Sequence, residues 1–163
     1  MQILEELEQT KTETLKYFAL ADEDLEKSYG RDKWSVRYVL HHLADSESVL
    51  FYRIRRVISE PKQVIWAYDQ AAWARQLDYS TVPLALARNV YVSSREGIAH
   101  YARLHYANSG EITFVHSETG IRTLKDEFDK VVSHNRQHVE DIERALMPQI
   151  KDAARVWRSN RSR

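Results

Sequence analysis

The chain of 163 residues contains no cysteine. Disulfides, a thiol nucleophile and thiolate metal ligands are therefore excluded, and any metal must be held by histidine or carboxylate side chains. Glycine and proline are scarce, with 4 and 3 residues. Because both residues disrupt helices, their scarcity predicts an all-α fold. The sequence also lacks any apolar run approaching the 18 or so residues that a membrane span requires.

An excess of charge of either sign is absent too, since 24 Lys and Arg balance 24 Asp and Glu. A nucleic-acid-binding protein usually carries a basic excess, so the balance argues against that class. The N-terminal sequence MQILEELEQTKTETL is acidic and amphipathic, without the apolar segment of a signal peptide. We therefore expect a cytoplasmic protein with no membrane partner. The length suits one domain, residues 1–163.

Apolar periodicity predicts four long helices. They cover residues 2–18, 35–59, 82–106 and 123–146, with short helical turns at 22–27 and 70–75. Ser35, Thr81 and Thr123 are the expected N-caps of the last three long helices. Before the last helix, the sequence NSGEITFVHSETGIRTL predicts a short hairpin or extended excursion that turns at Glu118-Thr119-Gly120. The basic tail, KDAARVWRSNRSR, is expected to fray at its end.

His134 and His138 are the most informative pair of residues. Their spacing of four places both imidazoles on one helix face, where they can bind one metal ion. On a helical wheel, His138 lies at the edge of the apolar stripe and His134 about 40° further round. By itself such a pair more often marks interfacial or surface histidines, and it lacks the glutamate of the H-E-x-x-H motif.

A third imidazole is available from His41 or His42, in the second long helix. The two residues lie on opposite shoulders of that helix's apolar stripe. The helical wheel does not decide between them, and either one could equally be a surface residue.

Glu47 lies near the middle of the same apolar stripe. An unpaired carboxylate buried there would be costly, so it should have a partner: an arginine, a tyrosine hydroxyl, a histidine or a metal-bound water. The pairing is either a structural contact with a neighbouring helix or a sign that Glu47 transfers protons or orients ligands near a metal.

Three segments in order resemble motifs of the DinB/YfiT-like superfamily of metal-binding proteins: KWSVRYVLHHLADSE, VIWAYDQAAW and SHNRQHVEDI. The resemblance extends over essentially the whole chain and is nearest to the YfiT-type branch. It implies an up-down-down-up four-helix bundle, commonly a homodimer, with zinc or nickel held by three histidines. Carried over to this sequence, the ligands are His42, the second histidine of its pair, together with His134 and His138.

The resemblance also implies a reaction class. Relatives include transferases that join low-molecular-weight thiols such as bacillithiol to electrophiles, and others described as metal-dependent hydrolases. Glu47 stands where the YfiT-type branch often has a histidine, which weakens transfer of that branch's substrate to this chain. Because this chain has no cysteine, any reacting thiol must come from a cosubstrate.

Two functional hypotheses follow. The leading one is a metal-dependent enzyme acting on a small molecule, a thiol transferase or a hydrolase, with Glu47 as a tentative acid or base. The alternative is a non-catalytic dimeric bundle that binds a small ligand or a protein, with its metal structural or absent.

Overall fold

The computed structural model describes residues 2–60 and 62–147. The basic tail for which fraying was expected lies outside the described residues. The elements in chain order are α1 (Gln2–Tyr17), α2 (Asp22–Leu25), α3 (Val36–Ser59), β1 (Val64–Ile65), α4 (Gln70–Gln76), α5 (Leu84–His105), β2 (Thr113–His116), β3 (Gly120–Thr123) and α6 (Leu124–Leu146). No helix in these two ranges has the length and apolar character needed to cross a membrane.

Local capping explains where the long helices begin. The Ser35 hydroxyl accepts a hydrogen bond from the backbone N–H of Tyr38 and caps α3. Thr123 and Asp126 form a reciprocal capping box at the start of α6. The cap expected at Thr81 is wrong, because the Thr81 hydroxyl donates to Asp78 Oδ2 at 2.7 Å and α5 begins three residues later, after Pro83.

The four long helices α1, α3, α5 and α6 form a four-helix bundle, which confirms the predicted fold class. In it α1 and α3 each pack against both α5 and α6. The bundle buries two apolar clusters. One contains Leu7, Ile54, Ile98 and Phe128, and the other contains Leu40, Leu43, Tyr91 and Ile142.

Between the two apolar clusters lies a layer of buried polar side chains, one or more from each long helix. Thr14 donates to Asn135 Oδ1 at 2.9 Å, and Asn135 donates to the Tyr91 hydroxyl at 3.0 Å. Glu47 and Arg95 lie at the same level of the bundle. The buried polar side chains of this layer thus lie near the middle of the bundle rather than at its ends.

A small sheet of order β1-β2-β3 accompanies the bundle. Strands β2 and β3 form the expected hairpin, with His116 opposite Gly120, whose φ of 76° suits a glycine at the turn. Strand β1 pairs parallel to β2, with Ile65 opposite His116. This pairing was not predicted, because it joins segments about fifty residues apart in the sequence. It places the segment after α3 beside the hairpin, at one side of the site described next.

Candidate metal centre

His42 of α3 and His134 and His138 of α6 converge. One ring nitrogen from each lies within 4.8 Å of the corresponding atoms of the other two. The Nε2 atoms of His42 and His134 are 3.2 Å apart, and the His138 ring centroid lies 4.7 Å from that of His42. In the described residues this is the one group of three or more histidines and carboxylates with such spacing.

Burial keeps these imidazoles neutral. It lowers the pKa of His42 to about 3 and that of His134 to about 3, and the neighbouring histidines add to the effect. The pKa of His138 is also lowered by burial, although Asp141 opposes the shift. At neutral pH all three rings therefore offer an unprotonated nitrogen, which is the form that binds a metal.

His41 points to a different environment. It is buried, and its ring stacks on Tyr79 with the centroids 5.1 Å apart. It is not part of the three-histidine group. The helical wheel could not choose between the two neighbouring histidines, whereas the packing of α3 against α6 brings His42 to the group.

Ser46 and Asp141 each lie about one helical turn from one of the three histidines and approach its ring. The Ser46 Oγ lies 3.3 Å from His42 Nε2 and forms a 2.6 Å hydrogen bond with the Tyr68 hydroxyl. The Asp141 Oδ2 lies 3.5 Å from His138 Nδ1, which has no hydrogen-bond partner among the described residues. A carboxylate beside Nδ1 favours Nε2 as the nitrogen that binds a metal.

Sequence reasoning missed the roles of Ser46 and Asp141. Their spacing, four residues after His42 and three after His138, was the only available signal. Residues at such helical spacing are neighbours on one face, but so are many side chains without a role.

A cavity of about 650 Å³ opens beside the histidines. Its wall includes His134, Ser46, Tyr68, Arg53, His116 and Lys130. A smaller cavity of about 220 Å³ lies against His138 and Asp141 and shares Gln70 with the first. The larger volume lies within the range of about 300–1,000 Å³ that is typical of small-molecule sites.

His116 is only 5 % exposed and lines the larger cavity. It could not be found from spacing, because its position depends on the pairing of β2 with β1. Trp66 is 76 % exposed, while Tyr68, two residues later, reaches the cavity and packs on Trp73. Residues 67–70 therefore form one wall of the cavity.

Glu47 has an arginine partner. Its carboxylate accepts two hydrogen bonds from Arg95 of α5, one of them 3.0 Å from Nε to Oε2, and both side chains are almost completely buried. Burial raises the pKa of Glu47, and the Arg95 guanidinium opposes that shift. Glu47 does not line the cavity that contains His134. The contact favours the structural alternative over the tentative acid–base role.

A helical bundle with three neutral, converging imidazoles beside a small-molecule cavity defines a class: a four-helix-bundle protein with a candidate metal centre. Comparison with known proteins identifies the family. A model of the DinB superfamily matches residues 6–157. The chain belongs to the DinB superfamily.

Named relatives and a solved structure agree with this family. A "Putative metal-dependent hydrolase" of Oceanobacillus iheyensis is 30 % identical over 123 residues, which cover 76 % of this chain and 71 % of the relative. The "Putative metal-dependent hydrolase YfiT" of Bacillus subtilis is 26 % identical over 147 residues, 87 % of this chain and 79 % of YfiT. The structure of YfiT, described as a probable metal-dependent hydrolase with an unusual four-helix bundle topology, matches with a TM-score of 0.79. That match has 24 % sequence identity and covers 87 % of this chain and 82 % of YfiT, and it establishes the fold.

Proposed function

We propose that this protein is a metal-dependent enzyme in which His42, His134 and His138 bind one divalent ion, zinc or nickel. The observation that carries the proposal is the convergence of three imidazole nitrogens beside a cavity. Two nitrogens bound tetrahedrally to one zinc lie about 3.3 Å apart, given Zn–N bonds of about 2.05 Å. The 3.2 Å between the Nε2 atoms of His42 and His134 fits this distance.

The three-histidine set also suits catalysis. Three neutral ligands leave the ion its full charge and an open position, and such an ion lowers the pKa of a bound water or thiol. The reaction is accordingly a hydrolysis or the transfer of a low-molecular-weight thiol cosubstrate to an electrophile. The names of the relatives support hydrolysis. The cavity volume accommodates the substrates of either reaction.

Tyr68 is the residue of this chain that we propose to contact the substrate. Its hydroxyl lines the cavity and is hydrogen-bonded to Ser46, whose Oγ lies beside His42. Burial raises the pKa of Tyr68, so the phenol stays protonated at neutral pH and can donate a hydrogen bond to the reacting molecule. Glu47, held by Arg95, is not needed for this step.

Metal analysis of protein purified without a histidine tag tests the proposal. We expect about one zinc or nickel per chain, lost in His138→Ala with the helical circular dichroism preserved. His100→Ala is the matched control, since His100 is exposed, and it should keep the metal. A His138→Ala protein that still binds one ion tightly would disprove the three-histidine site.

Activity assays then separate the two reactions and the non-catalytic alternative. The metal-loaded protein is assayed for ester and amide hydrolysis and for transfer of several thiols to a bimane electrophile, with chelator-treated protein as the control. Turnover that needs the metal and an added thiol identifies a transferase, and turnover with water alone identifies a hydrolase. A metal ion held by four protein ligands would support the non-catalytic bundle that only binds a partner. The absence of any bound metal would support it too.

We also propose that the protein acts as a homodimer. Three apolar side chains, Val64, Val115 and Ile121, are 41–78 % exposed and lie side by side across the three strands. A row of exposed β-branched residues suits a contact with another chain. Light scattering should give twice the 19.2 kDa chain mass, and Ile121→Lys should shift it toward the monomer. An unchanged dimer in that variant would remove this face from the interface.

A further inference from the structure

The wall of the larger cavity carries two cations, Arg53 and Lys130, that form no ion pair among the described residues. Arg53 of α3 is 4 % exposed, and Lys130 of α6 is half-buried. Both side chains line the cavity, and neither forms an ion pair with a carboxylate in residues 2–60 and 62–147. A buried guanidinium without a counter-ion is costly, so a site that retains one usually receives an anion.

Arg53 makes one direct hydrogen bond within the described part of the chain. Its Nη2 donates to the carbonyl oxygen of Trp66 at 2.8 Å. A guanidinium has five N–H groups, so most of its donors remain available to a molecule in the cavity. The bond to Trp66 also holds the side chain in place, which makes it a preorganised binding group.

His116 adds a third hydrogen-bond donor to the cavity wall, near Arg53 and Lys130. Its Nδ1 accepts a hydrogen bond from the backbone N–H of Glu118 at 3.3 Å. The neutral ring must therefore carry its proton on Nε2. This Nε2 is buried and has no hydrogen-bond partner among the described residues. Burial and the nearby Arg53 lower the pKa of His116, which keeps the ring in this donor form.

The carboxylates near these groups leave the donors free. Asp69 accepts the backbone N–H of Ala72 at 2.9 Å as the cap of α4, and Glu118 is exposed. Glu127 is buried close by with an unpaired Oε2, but it does not line the cavity. Burial raises the pKa of Glu127, and the charges of Arg53 and Lys130 oppose that shift. The cavity wall therefore holds the donors of Arg53, His116 and Lys130 together with two carboxylates, Asp69 and Glu118, that form no ion pair with them.

We propose that Arg53, His116 and Lys130 form an oxyanion-binding subsite that holds a carboxylate or phosphate group of the substrate, while the substrate's reactive group lies at the three histidines. This inference deepens the proposed function by naming the substrate class: an elongated small molecule with an anionic end. Helix geometry sets the span, since Lys130 is about 6 Å from His134 along α6 and Arg53 about 16 Å from His42 along α3. The long arginine side chain shortens the second distance.

Binding of simple anions to the full-length, metal-free protein tests the subsite without any reaction. Succinate and inorganic phosphate are titrated into chelator-treated protein in a calorimeter. We expect saturable binding of at least one of them at one per chain. Succinate alone would identify a carboxylate substrate, and phosphate alone a phosphorylated one. Saturable binding of neither would overturn the proposal.

Substitutions locate the binding. Lys130→Gln and His116→Leu should each weaken the affinity about tenfold, the loss expected for one hydrogen bond that involves a charged group or a buried donor. His116→Gln retains an N–H donor and should stay within about threefold of the wild type. Arg53→Gln should match Lys130→Gln, and Arg53→Lys should recover part of the loss. Because Lys130 is half-buried, its variant should fold even where an Arg53 variant does not.

Two further variants separate a specific anion site from a general attraction of anions to basic side chains. Arg56, three residues from Arg53 on α3, does not line this cavity. Arg56→Gln should leave anion binding unchanged, and an equal loss there would mean non-specific charge attraction and overturn the proposal. His138→Ala should lose the metal and keep succinate or phosphate binding, so a failed metal site and a failed anion subsite give different results.

Discussion

Replacing Glu47 is the sharpest test of how the polar layer of this bundle works. Glu47 is 2 % exposed and Arg95 is 1 % exposed, and they form a two-point contact between α3 and α5. Arg95 also donates to the Leu7 carbonyl oxygen at 2.9 Å and to the Thr10 hydroxyl at 2.7 Å. One guanidinium therefore joins α1, α3 and α5, and Glu47 supplies its counter-charge.

The magnitude follows from burial. Removing one member of a buried ion pair leaves the other charged and unpaired, which costs about 3–5 kcal/mol. We therefore expect Glu47→Ala to lower the free energy of unfolding by that amount. Glu47→Leu combined with Arg95→Met removes both charges and should restore much of the loss, because the desolvation penalty of each ion disappears.

Urea denaturation followed by circular dichroism measures these differences, and the double-mutant cycle isolates the coupling between the two residues. Glu140→Ala is the matched control. It removes an exposed contact with Arg144 at 3.7 Å and should change stability by no more than about 0.5 kcal/mol. A Glu47→Gln protein with normal stability and metal content but no turnover would refute the structural role and return Glu47 to the chemistry.

Three other predictions follow from the site and its supports. Metal-free protein should lose at least about 3 kcal/mol of stability between pH 7.5 and 5.5, because His42 and His134 have a pKa of about 3 when folded and about 6.5 when unfolded, so protons bind the unfolded chain first. Urea titrations at both pH values measure this loss, and the double variant His42→Gln/His134→Gln should lose about 3 kcal/mol less than the wild type, since the lowered pKa values of His138 and His116 remain in it. Tyr68→Phe should keep the metal and the helical content but lower kcat about tenfold, the equivalent of one hydrogen bond; an unchanged kcat would exclude Tyr68 from the reaction. Thr123→Ala should cost about 1 kcal/mol in urea by removing the cap of α6, and no loss would mean that packing alone fixes where α6 begins.

Local signals determined most of the helices. Ser35 and Thr123 were readable as caps because each hydroxyl meets a backbone N–H three residues later. Thr81 failed as a cap because its hydroxyl is satisfied by Asp78, a competing contact that helix propensity does not encode. The hairpin was readable from its turn at Gly120, whereas the parallel partner strand β1 was not, since no local rule links Ile65 to His116.

The candidate site also combines residues that the sequence indicated with contacts that depend on tertiary packing. Spacing alone placed His134 and His138 on one face of α6, and family resemblance added His42. Only the packing of α3 against α6 brought these rings within reach of one ion and turned His41 toward Tyr79. Glu47 needed a partner according to the sequence, but the choice of Arg95 depended on which helix lies opposite.

The sequence by itself indicated a mostly helical protein without cysteine, in which any metal ligands must be histidines or carboxylates, because composition and helical period act on neighbours in the chain. The tertiary structure decided which histidine completes the group, where Glu47 finds its counter-charge, and that Arg53, His116 and Lys130 share one cavity wall. Those three residues come from α3, β2 and α6. Their proximity depends on how helices and strands pack across long sequence separations, which no local pattern records.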